Sequence, residues 1–184
     1  MSTKREQLLD GAIELLGSRG LRALTHRAVD TIADMPPGSC SNYFRTRESL
    51  LTGIAERLEE RDYADWNAVT RMPAPTTIPQ LVDGLTQLIT HTVTTDRTRT
   101  LARYALILEA QTTPALQAAM HRGHQRILDW FAAMLREIAP DTDAAKPLAD
   151  YFDGVIWHEL TSPAPHFNPR PGVDRITRAI LGKP

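Results

Sequence analysis

The 184-residue sequence has one cysteine, few aromatic residues and no long apolar run. A single cysteine excludes an internal disulfide and agrees with a reducing compartment. No segment approaches the roughly 20 apolar residues that a membrane-spanning helix requires. The N-terminal stretch also lacks the apolar core and small-residue cleavage site of an export signal. We therefore expect a cytoplasmic protein with no membrane partner.

The chain also has little net charge. Its 21 Lys and Arg against 22 Asp and Glu give −1 at pH 7, and the hydrophobic and charged fractions of 42% and 23% are ordinary for a globular protein. The first 50 residues hold seven basic and six acidic side chains. If this chain binds nucleic acid, it must do so by placing a few cations and helix ends at phosphates.

Signals of catalysis and metal binding are missing as well. No nucleophile and base stand at a suggestive spacing, and there is no glycine-rich phosphate loop. His121 and His124 share a helix face, but no acidic or cysteine residue near them completes an obvious metal site. We expect a protein that is not an enzyme and holds no metal or cofactor. The alternative, a helical enzyme or metal-binding protein whose N-terminal motif is not used for DNA, stays open.

Apolar residues recur at helical spacing along nearly the whole chain, and no strand pattern is present. This periodicity predicts an all-α protein of about nine helices. They are expected at residues 3–19, 25–33, 37–44, 46–69, 78–94, 98–111, 114–139, 144–160 and 173–181. Ile32 in the second helix and Leu101, Tyr104, Ala105 and Leu108 in the sixth are predicted to face the interior. Thr3 and Glu6 have the spacing of a capping box, and Gly20 is placed to end the first helix.

The stretch from Thr25 to Arg47, THRAVDTIADMPPGSCSNYFRTR, predicts two short helices joined by a tight turn. The Thr25 hydroxyl can cap the first helix. The first helix cannot continue through Pro36 and Pro37, because proline lacks an amide hydrogen, while Pro37 suits the first turn of another helix. We predict that the second helix runs from about Pro37 to Phe44.

This second helix has two different faces. Cys40 and Phe44 lie four residues apart on an apolar face, which we expect to be buried. The other face is small and polar: Gly38, Ser39 and Asn42, flanked by Ser41 and Tyr43. Such residues let a helix backbone approach base edges in a major groove about 12 Å wide. The stretch is therefore predicted to be a helix-turn-helix with this recognition helix.

Roles can be assigned to the polar residues of this stretch. The candidates for phosphate contacts are Thr25, Ser39, Tyr43 and Arg47, and those for base-edge contacts are Pro37, Gly38, Ser41 and Asn42. Arg47 begins a helix, where a cation opposes the helix dipole, so a nearby phosphate would explain it. The alternative for Arg47 is a solvated surface side chain. Cys40 could sense oxidants, but a thiol buried in apolar surroundings is unreactive.

Five later residues could line a pocket for a small molecule, because aromatic rings supply apolar area with a polar edge. They are Trp66, Tyr104, Glu109, Trp130 and Trp157. Ordinary packing in the core is the alternative for the aromatic residues. Glu109 is either a surface charge at a helix end or a polar anchor facing a cavity.

Around this motif the sequence resembles the TetR family of bacterial transcriptional regulators. Members have an amphipathic first helix, a Gly-containing link, a Thr that starts the second helix, then Gly-Val-Ser-x-Gly-Thr-Leu-Tyr-x-His-Phe and a Lys before a long helix. The segment REQLLDGAIELLGSRGLRALTHRAV matches the opening closely, and DMPPGSCSNYF follows the motif without a gap. The specific resemblance covers about residues 4–55.

Individual motif positions agree or differ. Gly38 and Phe44 coincide with the motif, Ser39 replaces Thr, Cys40 takes the place of Leu, and Arg47 takes the place of Lys. Three residues depart from the pattern: Ser41 stands where Tyr is usual, Tyr43 where His is usual, and Asp34 where the turn has Gly.

The resemblance implies a two-domain regulator. Residues 1–47 would form a three-helix DNA-binding domain, and residues 48–184 a helical effector-binding and dimerisation domain connected by helix 48–69 as a lever. A homodimer, packed through residues 144–160 and 173–181, would place two recognition helices on a palindromic operator in double-stranded DNA. A small-molecule effector would tilt the lever and release this repressor.

Overall fold

The computed structural model describes residues 2–70, 74–140 and 143–182, with the backbone alone for residues 66–70. Within these ranges every regular element is helical: nine α-helices and two short 3₁₀ turns, Leu21–Ala23 and Ala110–Thr112. The helices are α1 (Lys4–Arg19), α2 (His26–Ile32), α3 (Ser39–Tyr43), α4 (Arg47–Thr70), α5 (Ile78–Val93), α6 (Arg97–Glu109), α7 (Pro114–Leu135), α8 (Ala145–Thr161) and α9 (Arg170–Ile180). The all-α prediction is confirmed. No described helix is both long and apolar enough to cross a membrane.

Both predicted ends of α1 are confirmed. The Thr3 hydroxyl accepts a hydrogen bond from the Glu6 amide at 3.2 Å, and the Glu6 carboxylate accepts one from the Thr3 amide at 2.8 Å. The Thr3 amide also lowers the pKa of Glu6. Gly20 ends the helix with φ of 75° and donates its amide to the Leu16 carbonyl at 2.9 Å. Glycine suits this position because it lacks the Cβ that disfavours positive φ.

The chain divides into two compact units. The first unit comprises Met1–Asp65 with Thr98–Gly123, and the second comprises Trp66–Arg97 with His124–Pro184. The first unit thus extends past residue 47 along much of α4 and includes most of α6 and the start of α7. The predicted domain boundary between residues 47 and 48 remains a prediction. Part of the proline-rich segment 71–79, namely residues 71–73, lies outside the described residues.

The core of the first unit is formed largely by α1 and α4. α1 and the first two thirds of α4 contribute Leu8, Leu9, Leu16, Leu51 and Ile54 to its core, each at most 2% exposed. Arg57 of α4 donates through Nε and a terminal nitrogen to the two Asp10 carboxylate oxygens of α1, at 2.9 and 3.0 Å. A second ion pair joins α4 to α6, with Arg103 donating to both Asp62 oxygens at 2.6 and 2.8 Å. Charged contacts on two sides therefore fix α4 within this unit.

In the second unit, α5 packs against α8 and α9, and α8 packs against α9. The buried face of α5 carries Ile78, Leu81, Val82, Leu85, Ile89 and Val93. Phe131 of α7 lies edge-on to the ring of Trp130 at 5.3 Å and to that of Phe152 at 5.7 Å, measured between ring centroids. This unit is therefore held mainly by apolar and aromatic packing.

Two predictions of buried faces were wrong. Leu108 of α6 is 64% exposed, and the fully buried apolar positions of α6 are Ala102 and Leu106. The apolar residues of α6 lie on more than one face of the helix, so spacing alone does not show which face is buried. The face that is buried carries Ala102 and Leu106, next to Arg103, which pairs with Asp62. Ile32 is 36% exposed, because it ends a short helix and only one side of it covers α1 at Gly11.

The start of α9 also differs from its prediction. The helix begins at Arg170, three residues before the expected Val173, and it includes Pro171 in its first turn. The first turn of a helix accepts proline, since the amides there have no partner within the helix. The proline-rich loop before this helix is correspondingly shorter than expected.

Candidate DNA-binding site

The start of α2 is held by two hydrogen bonds. The Thr25 hydroxyl accepts from the Ala28 amide at 3.2 Å, which confirms the predicted cap. Nε2 of His26 hydrogen-bonds the carbonyl oxygen of Phe44 at 2.6 Å. The second contact joins the first residue of α2 to the residue that ends α3.

The turn between α2 and α3 depends on two residues with positive φ. Asp34 has φ of 52°, a region that aspartate enters more readily than most residues. Gly38 has φ of 90° and is the N-cap of α3. The helix therefore begins at Ser39, and the prediction that it starts at Pro37 was wrong. Pro37 belongs to the turn, because the left-handed backbone of Gly38 interrupts any helix that would include it.

α3 receives its cap from α2. The Asp30 carboxylate accepts the Gly38 amide at 2.8 Å and the Cys40 amide at 2.6 Å. Asp30 is only 4% exposed, and Gly38 itself supplies no side-chain cap. A carboxylate is favoured at the positive end of a helix, and such charge-assisted bonds are stronger than neutral ones. Asp30 thus fixes where α3 begins.

The sequence pattern did not identify Asp30 as part of this site. The sequence clue to its role was that Asp30 follows Val29, on the side of α2 that the helical pattern predicts to be buried. A buried aspartate requires partners, and the amides of a following helix that lacks its own capping side chain are suitable ones.

The buried side of α3 is as predicted. Cys40 has no exposed surface, and Phe44 is 4% exposed. Burial, with the nearby charge of Asp30 as a smaller cause, raises the pKa of Cys40 to about 11. The thiol is therefore protonated at neutral pH, which argues against a reactive sensor thiolate. The guanidinium carbon of Arg5 lies 5.4 Å from the centre of the Phe44 ring and covers it.

The opposite side of α3 is open to solvent at Ser41, Asn42 and Tyr43, and Tyr43 is 49% exposed. The Ser39 hydroxyl donates to the Pro36 carbonyl at 2.6 Å, and the Ser41 hydroxyl donates to the Gly38 carbonyl at 3.0 Å. These two hydroxyls must rotate before they can donate to a phosphate. The Asn42 side chain has no hydrogen-bond partner among the described residues.

Arg47 makes contacts within the protein. Its guanidinium donates to the Leu24 carbonyl at 2.9 Å and to the Leu21 carbonyl at 3.2 Å. These bonds tie the first residue of α4 to the segment before α2. Two of the five guanidinium N–H groups are used in this way, and the others remain available for an outside anion. The side chain is exposed.

The structure does not bring the five predicted pocket residues into one compact unit. Tyr104 and Glu109, both partly buried, belong to the first unit, whereas Trp130 and Trp157 belong to the second. Trp157 is 41% exposed. The side chain of Trp66 lies outside the described residues. Over the described ranges, no three His, Cys, Asp or Glu side chains are grouped as a metal site would require.

Comparisons with known proteins point to one family. A family model described as tetracyclin repressor-like, C-terminal domain, matches residues 76–183. An uncharacterized HTH-type transcriptional regulator of Xanthobacter autotrophicus is 40% identical over 60 residues, which is 33% of this chain and 30% of that regulator. The chain thus matches less than a third of that relative's length.

Solved structures resemble almost the whole chain. The multidrug binding protein EbrR, in complex with imidazole, is 26% identical with a TM-score of 0.69, and the similarity covers 98% of this chain and 96% of EbrR. A member of the TetR family from Streptomyces coelicolor A3 is 25% identical with a TM-score of 0.72, covering 97% and 99% of the two chains. Because the family domain alone matches more than half of the 184 residues, the chain belongs to the TetR family of transcriptional regulators.

Proposed function

We propose that this protein is a transcriptional repressor that binds a palindromic operator as a homodimer. The observation that carries the proposal is α3, a helix of five residues. Asp30, Cys40 and Phe44 anchor it on one side, and small polar residues and one tyrosine are exposed on the other. A rigidly held short helix with an open polar face is the element that a helix-turn-helix protein places in the major groove.

A dimer would supply contacts that one copy lacks. The whole chain has a net charge of −1, and a five-residue helix reaches few base pairs. Two copies double these contacts and read half-sites about one helical turn of DNA apart. We place the dimer contact on α8 and α9. Trp157 of α8 is 41% exposed in the single chain, and a partner would cover it.

We assign base-edge contacts to Pro37, Gly38, Ser41 and Asn42. Asn42 is the strongest of them, because its amide group is exposed and can donate and accept together, the pattern that adenine presents in the major groove. We assign the phosphate contacts to the residues at the edges of this surface: Thr25, Ser39, Tyr43 and Arg47.

Binding to DNA can be tested by fluorescence anisotropy with a duplex from the promoter of the protein's own gene and a scrambled duplex of equal length. We expect tighter binding to the promoter duplex. Asn42→Ala removes one base contact from each half-site, so at roughly 1.4 kcal/mol for each contact it should reduce the preference of the dimer by about 100-fold. Gln87→Ala, at an exposed position of α5, is the control and should retain it. Equal affinity of the wild type for both duplexes would contradict the proposal.

We further propose that a small molecule bound by residues 48–184 controls DNA binding. The family domain at residues 76–183 and the similarity to EbrR, which is described as a multidrug binding protein, support this role. Trp66, Tyr104, Glu109, Trp130 and Trp157 remain the candidate contacts. An effector acts only through its different affinities for the DNA-bound and free conformations, a coupling of about 1 to 3 kcal/mol.

A thermal-shift screen of amphipathic compounds tests this second part. Ethidium, which is bound in an EbrR complex, belongs in the panel. A ligand at 100 times its dissociation constant stabilises the folded state by about 2.7 kcal/mol and so raises Tm measurably. The compounds that raise Tm should also weaken binding to the promoter duplex. Ligands that stabilise the protein but leave its DNA affinity unchanged would contradict an effector role.

A further inference from the structure

Three exposed arginines, Arg22, Arg27 and Arg45, lie in the segments before and after α3. Their guanidinium groups have no hydrogen bond or ion pair with any described residue. By contrast, Arg57 and Arg103 of the same unit are each paired with an aspartate. Three cations without partners close to a proposed DNA-binding helix require an explanation.

Hydrogen bonds bring the segments that carry these arginines together. The Phe44 carbonyl bonds His26 at 2.6 Å, and Arg47 bonds the carbonyls of Leu24 and Leu21 at 2.9 and 3.2 Å. Residues 21–26 and 44–47 therefore lie side by side at the C-terminal end of α3.

Each of these three arginines is a chain neighbour of one of these contacts. Arg22 follows Leu21, Arg27 follows His26, and Arg45 follows Phe44. The three side chains therefore start from one joined region of the surface. We refer to Arg22, Arg27 and Arg45 as the arginine strip.

The local charge is positive although that of the whole chain is not. Residues 21–47 contain four arginines and two aspartates. Asp30 is buried, and its carboxylate is used by the α3 amides, which leaves only Asp34 as an exposed acid. Exposed like charges that share a region repel one another, and a polyanion placed against them removes that repulsion.

We propose that the arginine strip binds the DNA backbone beside the bases that α3 reads. This inference rests on the proposed function and adds three residues to its phosphate contacts. A guanidinium can form two parallel hydrogen bonds to one phosphate, so each arginine fixes position as well as charge. Such contacts set the affinity and the register of α3 on the duplex, whereas the base edges set the sequence preference.

The test is the salt dependence of binding to the promoter duplex. Each phosphate contact contributes about −0.9 to the slope of log K against log salt concentration. Substituting glutamine at any one of the three positions should make the slope shallower by about 1.8 for a dimer, which loses two contacts. Arg22→Lys, Arg27→Lys and Arg45→Lys should keep most of the slope, because they keep the charge. A residue needed only for folding would not show this pattern.

Arg136→Gln is the matched control. Arg136 is exposed in the second unit without a described side-chain partner, and its substitution changes the net charge by the same amount. It should leave the slope unchanged. Tm should stay at the wild-type value in all of these variants, since none of the side chains makes a described contact.

Two failures are distinguishable. If the wild type prefers the promoter duplex but the triple variant R22Q/R27Q/R45Q keeps the wild-type slope, the arginine strip does not contact DNA and only this inference is overturned. If the wild type binds no duplex with sequence preference, the proposed function falls, and this inference falls with it.

Discussion

The two compact units are stabilised in different ways. In the first unit, buried or partly buried charged groups connect the helices, as in the bonds from Asp30 to α3 and from Arg103 to Asp62. In the second unit the helices meet through apolar faces, and ion pairs such as Lys146 with Asp150 are on the surface, with side chains 62% and 55% exposed.

This difference matches the two proposed roles. Hydrogen bonds between buried charged groups hold one geometry, because any other arrangement leaves a charge without a partner. Apolar cores tolerate changes of side chain provided that volume is conserved. A recognition helix requires a fixed position, and a region that binds a small molecule benefits from adaptable packing. The charged contacts of the first unit agree with its proposed role in DNA recognition, and the apolar packing of the second unit agrees with its proposed role in ligand binding.

Removal of an ion pair should have the largest effect. Arg103→Ala removes both hydrogen bonds from Arg103 to the Asp62 carboxylate, whose side chain is only 12% exposed in the wild type, so we expect a loss of about 3 kcal/mol in the free energy of unfolding. Lys146→Ala removes one partner of an exposed pair in the second unit and should cost less than about 1 kcal/mol. Urea unfolding followed by circular dichroism measures both. Equal losses would remove the contrast between the units.

Glycine substitutions give the next comparison. A Cβ at Gly17 of α1 would overlap the backbone carbonyl of Thr98, and backbone cannot move aside as a flexible side chain can. We expect Gly17→Ala to destabilise the protein by roughly 2 to 3 kcal/mol. Gly84 of α5 has open space around it, so Gly84→Ala should be neutral or stabilise by up to about 1 kcal/mol through helix propensity. Thermal unfolding of the pair checks both. A stable Gly17→Ala protein would show that α1 and Thr98 are not in tight contact.

The cap from Asp30 connects stability with recognition. Asp30→Ala removes the acceptor of two α3 amides and should cost about 2 kcal/mol of stability. Its effect on DNA should be selective, because a loosened α3 loses base contacts while the surrounding cations remain. We expect affinity for the promoter duplex to fall more than affinity for the scrambled duplex.

Asp30→Asn separates capping from burial. The amide retains one acceptor oxygen at nearly the same volume, so its DNA preference should lie between those of the wild type and Asp30→Ala. Parallel losses on both duplexes, measured by anisotropy below the unfolding transition, would show that Asp30 does not position α3.

The features that the sequence predicted well are local ones. The Thr3 and Glu6 box, the Thr25 cap and the helical stripe of α5 depend on residues within one or two turns of each other. The two-faced character of α3 also follows from its own spacing, which is why the burial of Cys40 could be predicted from the sequence.

The features that the sequence did not predict depend on distant partners. Asp30 lies eight and ten residues before the amides that it accepts, and Arg47 bonds carbonyls more than 20 residues away. Arg103 of α6 pairs with Asp62, 41 residues earlier in the chain. Helical periodicity alone cannot decide which of several apolar faces of α6 is buried. The Arg103–Asp62 pair joins α6 to α4, and the sequence spacing within α6 does not reveal it.

The last comparison is at Thr177 of α9, in the second unit. Its hydroxyl oxygen is fully buried and lacks a hydrogen-bond partner in the described part of the chain. An unpaired buried hydroxyl is unfavourable, so Thr177→Val, which keeps the shape, should stabilise the protein by about 1 kcal/mol. Thr177→Ser keeps the hydroxyl, loses a methyl group and should destabilise it by a similar amount.

Tryptophan fluorescence during urea unfolding measures this difference in the appropriate unit, because all three tryptophans belong to the second unit. Replacing a buried hydroxyl by a methyl group destabilises a protein when the hydroxyl has a partner, and stabilises it when packing alone holds the site. Destabilisation by Thr177→Val would therefore reveal a polar contact inside α9's packing face. The second unit would then depend on directional bonds as the first does.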